Sequence, residues 1–262
     1  MSCPSGCLPM RRRWARGTCR SISMCSSWTT RQSARKASRS PTPGSTAMRR
    51  SGAYLGNEGW CIGLELREGR CHSAQGTDEV LARVLPRAGR LTDAALLVRM
   101  DSDFDSGKLF GAIAEASAER QRGGGAPIEV LIKWNPRGGG AETIIERALG
   151  DITLVWRHPR EGKRTAVFED TLERRGHNGT VIRLRRVLAL TERTIDRHGQ
   201  HLITAKYDLA DFLTTLDAKT VDAETIIALY CDHGTHEQFH SELKTDLDLE
   251  RLPSGKFANN DL

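Results

Sequence analysis

Residues 94–105 read Ala-Ala-Leu-Leu-Val-Arg-Met-Asp-Ser-Asp-Phe-Asp, an apolar run of strand length that ends in a carboxylate. A run without polar alternation describes a strand covered on both faces, as the central strand of an α/β sheet is. A carboxylate at the C-terminal end of such a strand faces the crevice where α/β proteins commonly place their chemistry. Asp101 is therefore a candidate site residue. The competing reading is plain turn chemistry, because Asp103 and Asp105 follow in the same short loop.

On the N-terminal side, residues 52–66 (GAYLGNEGWCIGLEL) form two apolar stretches around Asn57-Glu58-Gly59, the pattern of a hairpin. Residues 77–91 predict a helix, with Thr77 as its cap and Asp78 and Glu79 in its first turn. Pro86 is expected to kink or shorten it. On the C-terminal side, residues 107–121 have helical spacing and stop at glycines 123–125, and residues 128–134 form a strand. From 151 to 207 the chain turns β-rich, and Asp222 caps a long helical stretch reaching Lys244. This order predicts a mixed α/β architecture.

The formal charge of +6 suggests an anionic partner until its distribution is inspected. Residues 1–52 hold eleven Arg/Lys and no acid; the first acid is Glu58. Beyond residue 52 the chain carries 28 basic and 33 acidic side chains, a net of −5. The Ser/Arg-rich segment 1–52, poor in apolar residues, is expected to be disordered, leaving 53–262 as the folded domain. The seven cysteines form no CxxC pair, which argues for a reducing cytoplasm. Arginines 11–13 precede no apolar h-region, and no run of 18 apolar residues exists, so neither a signal peptide nor a membrane helix is expected.

In the last helical stretch Tyr230, His233, Glu237 and Lys244 follow at spacings of three, four and seven, on one helix face. A solvated charged face has the same pattern, and Gly234 costs such a helix about 1 kcal/mol relative to Ala. The stretch also contains His236-Glu237-Gln238-Phe239-His240, a formal match to the HExxH motif of zinc peptidases. That motif is short and lacks its usual third-ligand extension, with Glu250 the remaining candidate ligand.

Tyr230-x2-His233-x3-Glu237-x6-Lys244 resembles the Tyr–Arg–Glu–Lys signature of bacterial insertion-sequence transposases of the DDE type, with His233 where that pattern usually has Arg. The text around it (HGTHEQFHSELKTDLDLERLPSGKF), AYLGNEGWCIGLELREGRCHS and LLVRMDSDFDS resemble the same family, over about residues 53–262. The resemblance implies a ribonuclease-H-like core carrying a β-rich insertion, here about 151–207. It implies three acids that bind two Mg²⁺ or Mn²⁺ ions: one on the first strand, one after the fourth, one on a later helix. Asp101 stands at the second position and Glu237 at the third. Two such metals, ~3.5–4 Å apart, clamp the attacking and leaving oxygens of an in-line phosphoryl transfer. Tyr230, His233 and Lys244 are then expected at DNA phosphates; His233 lacks the fork of an Arg. DNA, at element ends and target, is the implied partner, with a homodimer or synaptic complex and no small-molecule cofactor. The implied location is the bacterial cytoplasm, at the nucleoid. In such transposases the signature helix and its successors continue further than residue 262.

The first acid has no counterpart, since residues 1–57 contain no Asp or Glu. The genetic code suggests why. With TCN serine codons, reading from the last base of each codon turns residues 24–28 into Val and three further apolar residues. The final G of the Trp28 codon then joins the AC of Thr29 to give GAC, an Asp. Residues up to about 52 are therefore expected to be an out-of-frame product, and the copy to be catalytically defective. The alternative reading is a non-catalytic DNA-binding or inhibitory fragment.

Overall fold

The computed structural model describes residues 19–30, 48–68, 72, 74–136, 140–176 and 179–232. Nine strands make one mixed sheet: β1 (Cys19–Thr30), β2 (Met48–Leu55), β3 (Trp60–Glu68), β4 (Ala95–Met100), β5 (Ile128–Lys133), β6 (Arg157–Arg160), β7 (Lys163–Arg175), β8 (Val181–Ile195) and β9 (His201–Thr214). Their spatial order is β3-β2-β1-β4-β5-β9-β8-β7-β6. The first three pair antiparallel, β1, β4 and β5 run parallel, and β9 returns antiparallel on β5. This is a mixed sheet of the α/β class, with its fourth strand beside its first.

The run that ends in Asp101 is apolar throughout because both faces of β4 are covered. Leu96, Val98 and Met100 lie in one hydrophobic cluster with α1 (Thr77–Leu91) and α2 (Gly107–Arg122), whereas Leu97 lies in a second with α4 (Ala223–Cys231). Helix α1 continues through Pro86, whose ring lies on the exposed face, so the expected kink does not end it. Its N-cap is Gly76, at φ 70°, and not Thr77, which is the first helical residue and buried.

Two further differences have physical causes. Residues 1–52 read as disordered by composition, yet β1 and most of β2 fall there. Ile22 and Met24 alternate with serines and are fully buried against β4, a two-residue period that the surrounding Ser/Arg content conceals. Helix α3 (Ala141–Gly150) has no sequence expectation behind it; it is short, and it buries only Ile144 and Ala148. The β-rich segment forms an antiparallel meander from β6 to β9 that extends the sheet.

The meander is locked to the core where buried charge meets close packing. Asp105, 2% exposed, receives two hydrogen bonds from the Arg174 guanidinium at 3.0 and 2.8 Å, and one from the Asn135 backbone at 3.1 Å. Beside this pair, the first residue of α2 is Gly107, where a Cβ would stand 2.0 Å from the Arg175 carbonyl oxygen. Gly107→Ala must push β7 away from α2 and is expected to lower stability by about 1–3 kcal/mol in urea denaturation.

On β9, Asp211 is buried against the Arg186 guanidinium, itself stacked 4.5 Å over the Trp134 ring. Burial pushes the Asp211 carboxyl above the usual carboxylate range, outweighing the Arg186 bonds that lower it. The folded chain thus holds this proton to higher pH than the unfolded chain. Asp211's contribution to stability is complete below its unfolded pKa and is lost as pH rises through the folded one. Asp211→Asn is expected to flatten the fall of the urea midpoint from about pH 4 upward.

Candidate functional site at the end of β4

Asp101 follows the last residue of β4 and is half-buried. It caps a single 3-10 turn, Ser102–Phe104, and its Oδ1 accepts a hydrogen bond from the Asp103 backbone at 2.9 Å. The turn reading of this carboxylate is thus met by that hydrogen bond. Phe104 is fully buried in the core, and the Asn135 side-chain amide donates to the Ser102 carbonyl at 3.1 Å. With Asp105 clamped by Arg174, the loop is fixed at three points around the acid. Asp105 supplies the clamp, a role its sequence position does not announce.

Helix α4 brings the start of the signature to the same side of the sheet. Asp222 caps it, accepting from the Thr225 backbone at 2.7 Å. Ile226 is buried in the second cluster, against which Tyr230 packs with its ring 4.9 Å from that of Phe212. The decisive contact is made by Arg99, which is 2% exposed. Its guanidinium donates to the Leu229 carbonyl of α4 at 2.7 Å and to the Ser21 hydroxyl of β1 at 3.1 Å. Strand residues two apart share a face, so Arg99 and Asp101 do. The carbonyl that Arg99 holds belongs to the residue before Tyr230. Asp101 and Tyr230 thus lie on one side of the sheet. The sequence reading passed over Arg99 as part of an apolar run; the signal was a lone cation inside a doubly buried strand.

His233, Glu237 and Lys244 lie outside the described residues, as do His236, His240 and Glu250 of the zinc reading. On β1, the last residue paired with β4 is Met24, opposite Met100, so position 25 comes next to 101 in the backbone register. It is a cysteine, and β1 contains no Asp or Glu. Among the described residues no three His, Cys, Asp or Glu side chains converge to hold a metal ion.

Residues 25–262 match the family model of the transposase DDE domain. The chain belongs to this family. Among solved structures, this transposase domain is similar to a piggyBac transposase in a cryo-EM synaptic complex with hairpin DNA. The two share 9% identity at a TM-score of 0.38, over 90% of this chain and 45% of the other. The chain thus spans under half the length of that protein. No curated protein matches it. Among the described residues, no helix of the domain is long and apolar enough to cross a membrane.

The Arg99 contact sets how firmly α4 is seated. Arg99→Met keeps the apolar stem but removes the bonds to Leu229 and Ser21. It is expected to lower the opening free energy of the α4 amides by about 1.5–3 kcal/mol. Hydrogen exchange reads this directly, with β8 amides as the internal reference.

Proposed function

We propose that this transposase domain binds DNA but lacks a complete catalytic triad, so that it neither cleaves element ends nor joins them to a target. The observation that carries the reading is the position of β1. It lies beside β4, where the resemblance puts the first acid, and it offers Ser, Cys, Trp and Thr in place of a carboxylate. Mg²⁺ and Mn²⁺ take oxygen ligands, chiefly carboxylates, and a two-metal site needs several of them. The described donor set at this edge is Asp101, with one oxygen already engaged by the Asp103 backbone. These residues do not fit a two-metal centre.

In this reading Asp101 and Glu237 remain as the second and third acids, and Tyr230, His233 and Lys244 contact phosphates near them. The partner is DNA, taken up by one copy or by a dimer in a synaptic complex, in the cytoplasm at the nucleoid. A frame change explains the empty position. The Asp obtained by reading across Trp28 and Thr29 falls within the bounds of β1, where the family's first acid belongs.

The experiment is cleavage of a labelled duplex carrying the element's terminal repeats, with Mg²⁺ or Mn²⁺, by the purified chain and its Asp101→Ala variant. Retention of the duplex without nicking is expected of both proteins. Nicking by the parent chain that disappears in Asp101→Ala would overturn the proposal, and failure of the parent to retain DNA would overturn its binding half.

A further inference from the structure

Beyond residue 52 the positive charge is gathered in one place. Residues 157–214, the meander, carry twelve basic and eight acidic side chains; the remainder of 53–262 carries sixteen and twenty-five. The meander is thus +4 and the rest of residues 53–262 −9.

Half of the meander's twelve cations are held in ion pairs away from the row described next. Arg157 pairs with Glu224, Arg164 with Glu192, Arg174 with Asp105, Arg183 with Glu173, Arg185 with Glu169 and Arg186 with Asp211. Four others form a row that the strand register creates. Arg160 on β6 is opposite Lys163 on β7, Lys163 is opposite Arg193 on β8, and Arg193 is opposite Lys206 on β9. Directly opposed residues of antiparallel strands project from the same face, and like charges so placed destabilise the sheet. Four cations therefore cross four strands in one line, about 14 Å long at the ordinary strand spacing. Arg193 meets Asp208 at 2.8 Å; Arg160, Lys163 and Lys206 have no ion pair among the described residues.

Arg160 and Lys206 are exposed, and Lys163 is half-buried. At the β6–β7 end lies a shallow depression whose lining includes Arg160 and Lys163 of the row together with Arg164, Glu192 and Thr194, which strand alternation puts on the opposite face. Gly162 adopts φ 65° with Ile195 packed directly over it, and its carbonyl accepts from the Thr194 backbone at 2.9 Å. Glu161 and Glu192 are the acids at its rim; Glu192 is held by Arg164 at 2.6 Å.

We infer that this cross-strand row is a docking rail for the phosphate backbone of duplex DNA, apart from the β4 edge where the acids stand. The inference rests on the DNA-binding reading above and adds which surface supplies the affinity. A repulsive line of cations is compensated by a linear polyanion, and duplex DNA presents a charge every ~1.7 Å of axis. An acidic protein partner, with discrete carboxylates, is the other class of macromolecule that meets such a row.

The test compares the parent chain, the triple variant R160Q/K163Q/K206Q and a control triple from other exposed surface, R90Q/R122Q/K219Q, on a ~30-bp duplex of arbitrary sequence at several salt concentrations. Each lost phosphate contact lowers the salt slope by about 0.9. The row variant is expected to lose about 2.7 from the slope and about tenfold or more in affinity at low salt. The control is expected to lose less than one unit of slope. With DNA absent, the row variant is expected to melt at the same temperature as the parent or higher, since a repulsive line has been relieved. Equal effects of the two triples, or an unchanged slope in the row variant, would overturn the rail. So would retention of an acidic protein in place of DNA. A parent chain that binds no DNA overturns the underlying reading instead.

Discussion

A strand enclosed between two helical layers has no solvent along its length, and β4 is such a strand. Its even-numbered side chains pack under α1 and α2, and Leu97 packs in the cluster of α4. Ionised groups are excluded from that environment unless they are bonded on arrival. Position 101, immediately after the strand, is where a carboxylate first meets water without leaving the sheet. The location of the acid thus follows from burial of the five residues before it. Arg99 is the exception, and its bonds to a helix carbonyl on one side and a serine hydroxyl on the other are what make it tolerable. The same bonds tie β1, β4 and α4 together at the level of the acid.

That dependence explains which parts of the protein are readable from its amino-acid order. The run 94–100, the hairpin around Asn57-Glu58-Gly59 and the α1 and α2 periods carry local signals strong enough to place the core of the sheet. The Asp222 cap is legible for the same reason: its acceptor and the Thr225 amide are three residues apart. The pairing of Asp105 with Arg174 is not, because its partners are separated by 69 residues and meet through the meander's return to the core. Nor is the Arg99 contact, which spans 130 residues. Composition misleads at β1, where two buried apolar residues suffice for a strand laid against an existing one. The charge row is a further case. Its members are separated by up to 46 positions, and only the register of three strand pairs lines them up.

The net charge illustrates the difference between a total and a location. The +6 of the whole chain rests on the eleven cations of residues 1–52. It says nothing about a binding surface. Residues 53–262 are acidic overall, yet they contain a basic meander, and the separation has a physical logic. Carboxylates gathered to hold metal ions repel a phosphate backbone, most strongly when the metals are absent and the site is partly desolvated. A protein that works on a polyanion through an acidic centre therefore gains by placing its attractive charge elsewhere on the same rigid body. The sheet is continuous from β4 to β6, so a duplex held on the meander lies at a fixed offset from Asp101. Because phosphate contacts position without reading sequence, such a rail can survive in a copy whose first acid is gone. In the proposed reading, the surface that would hold DNA and the edge that carries Asp101 are built from different strands, so a missing acid at the second leaves the first intact.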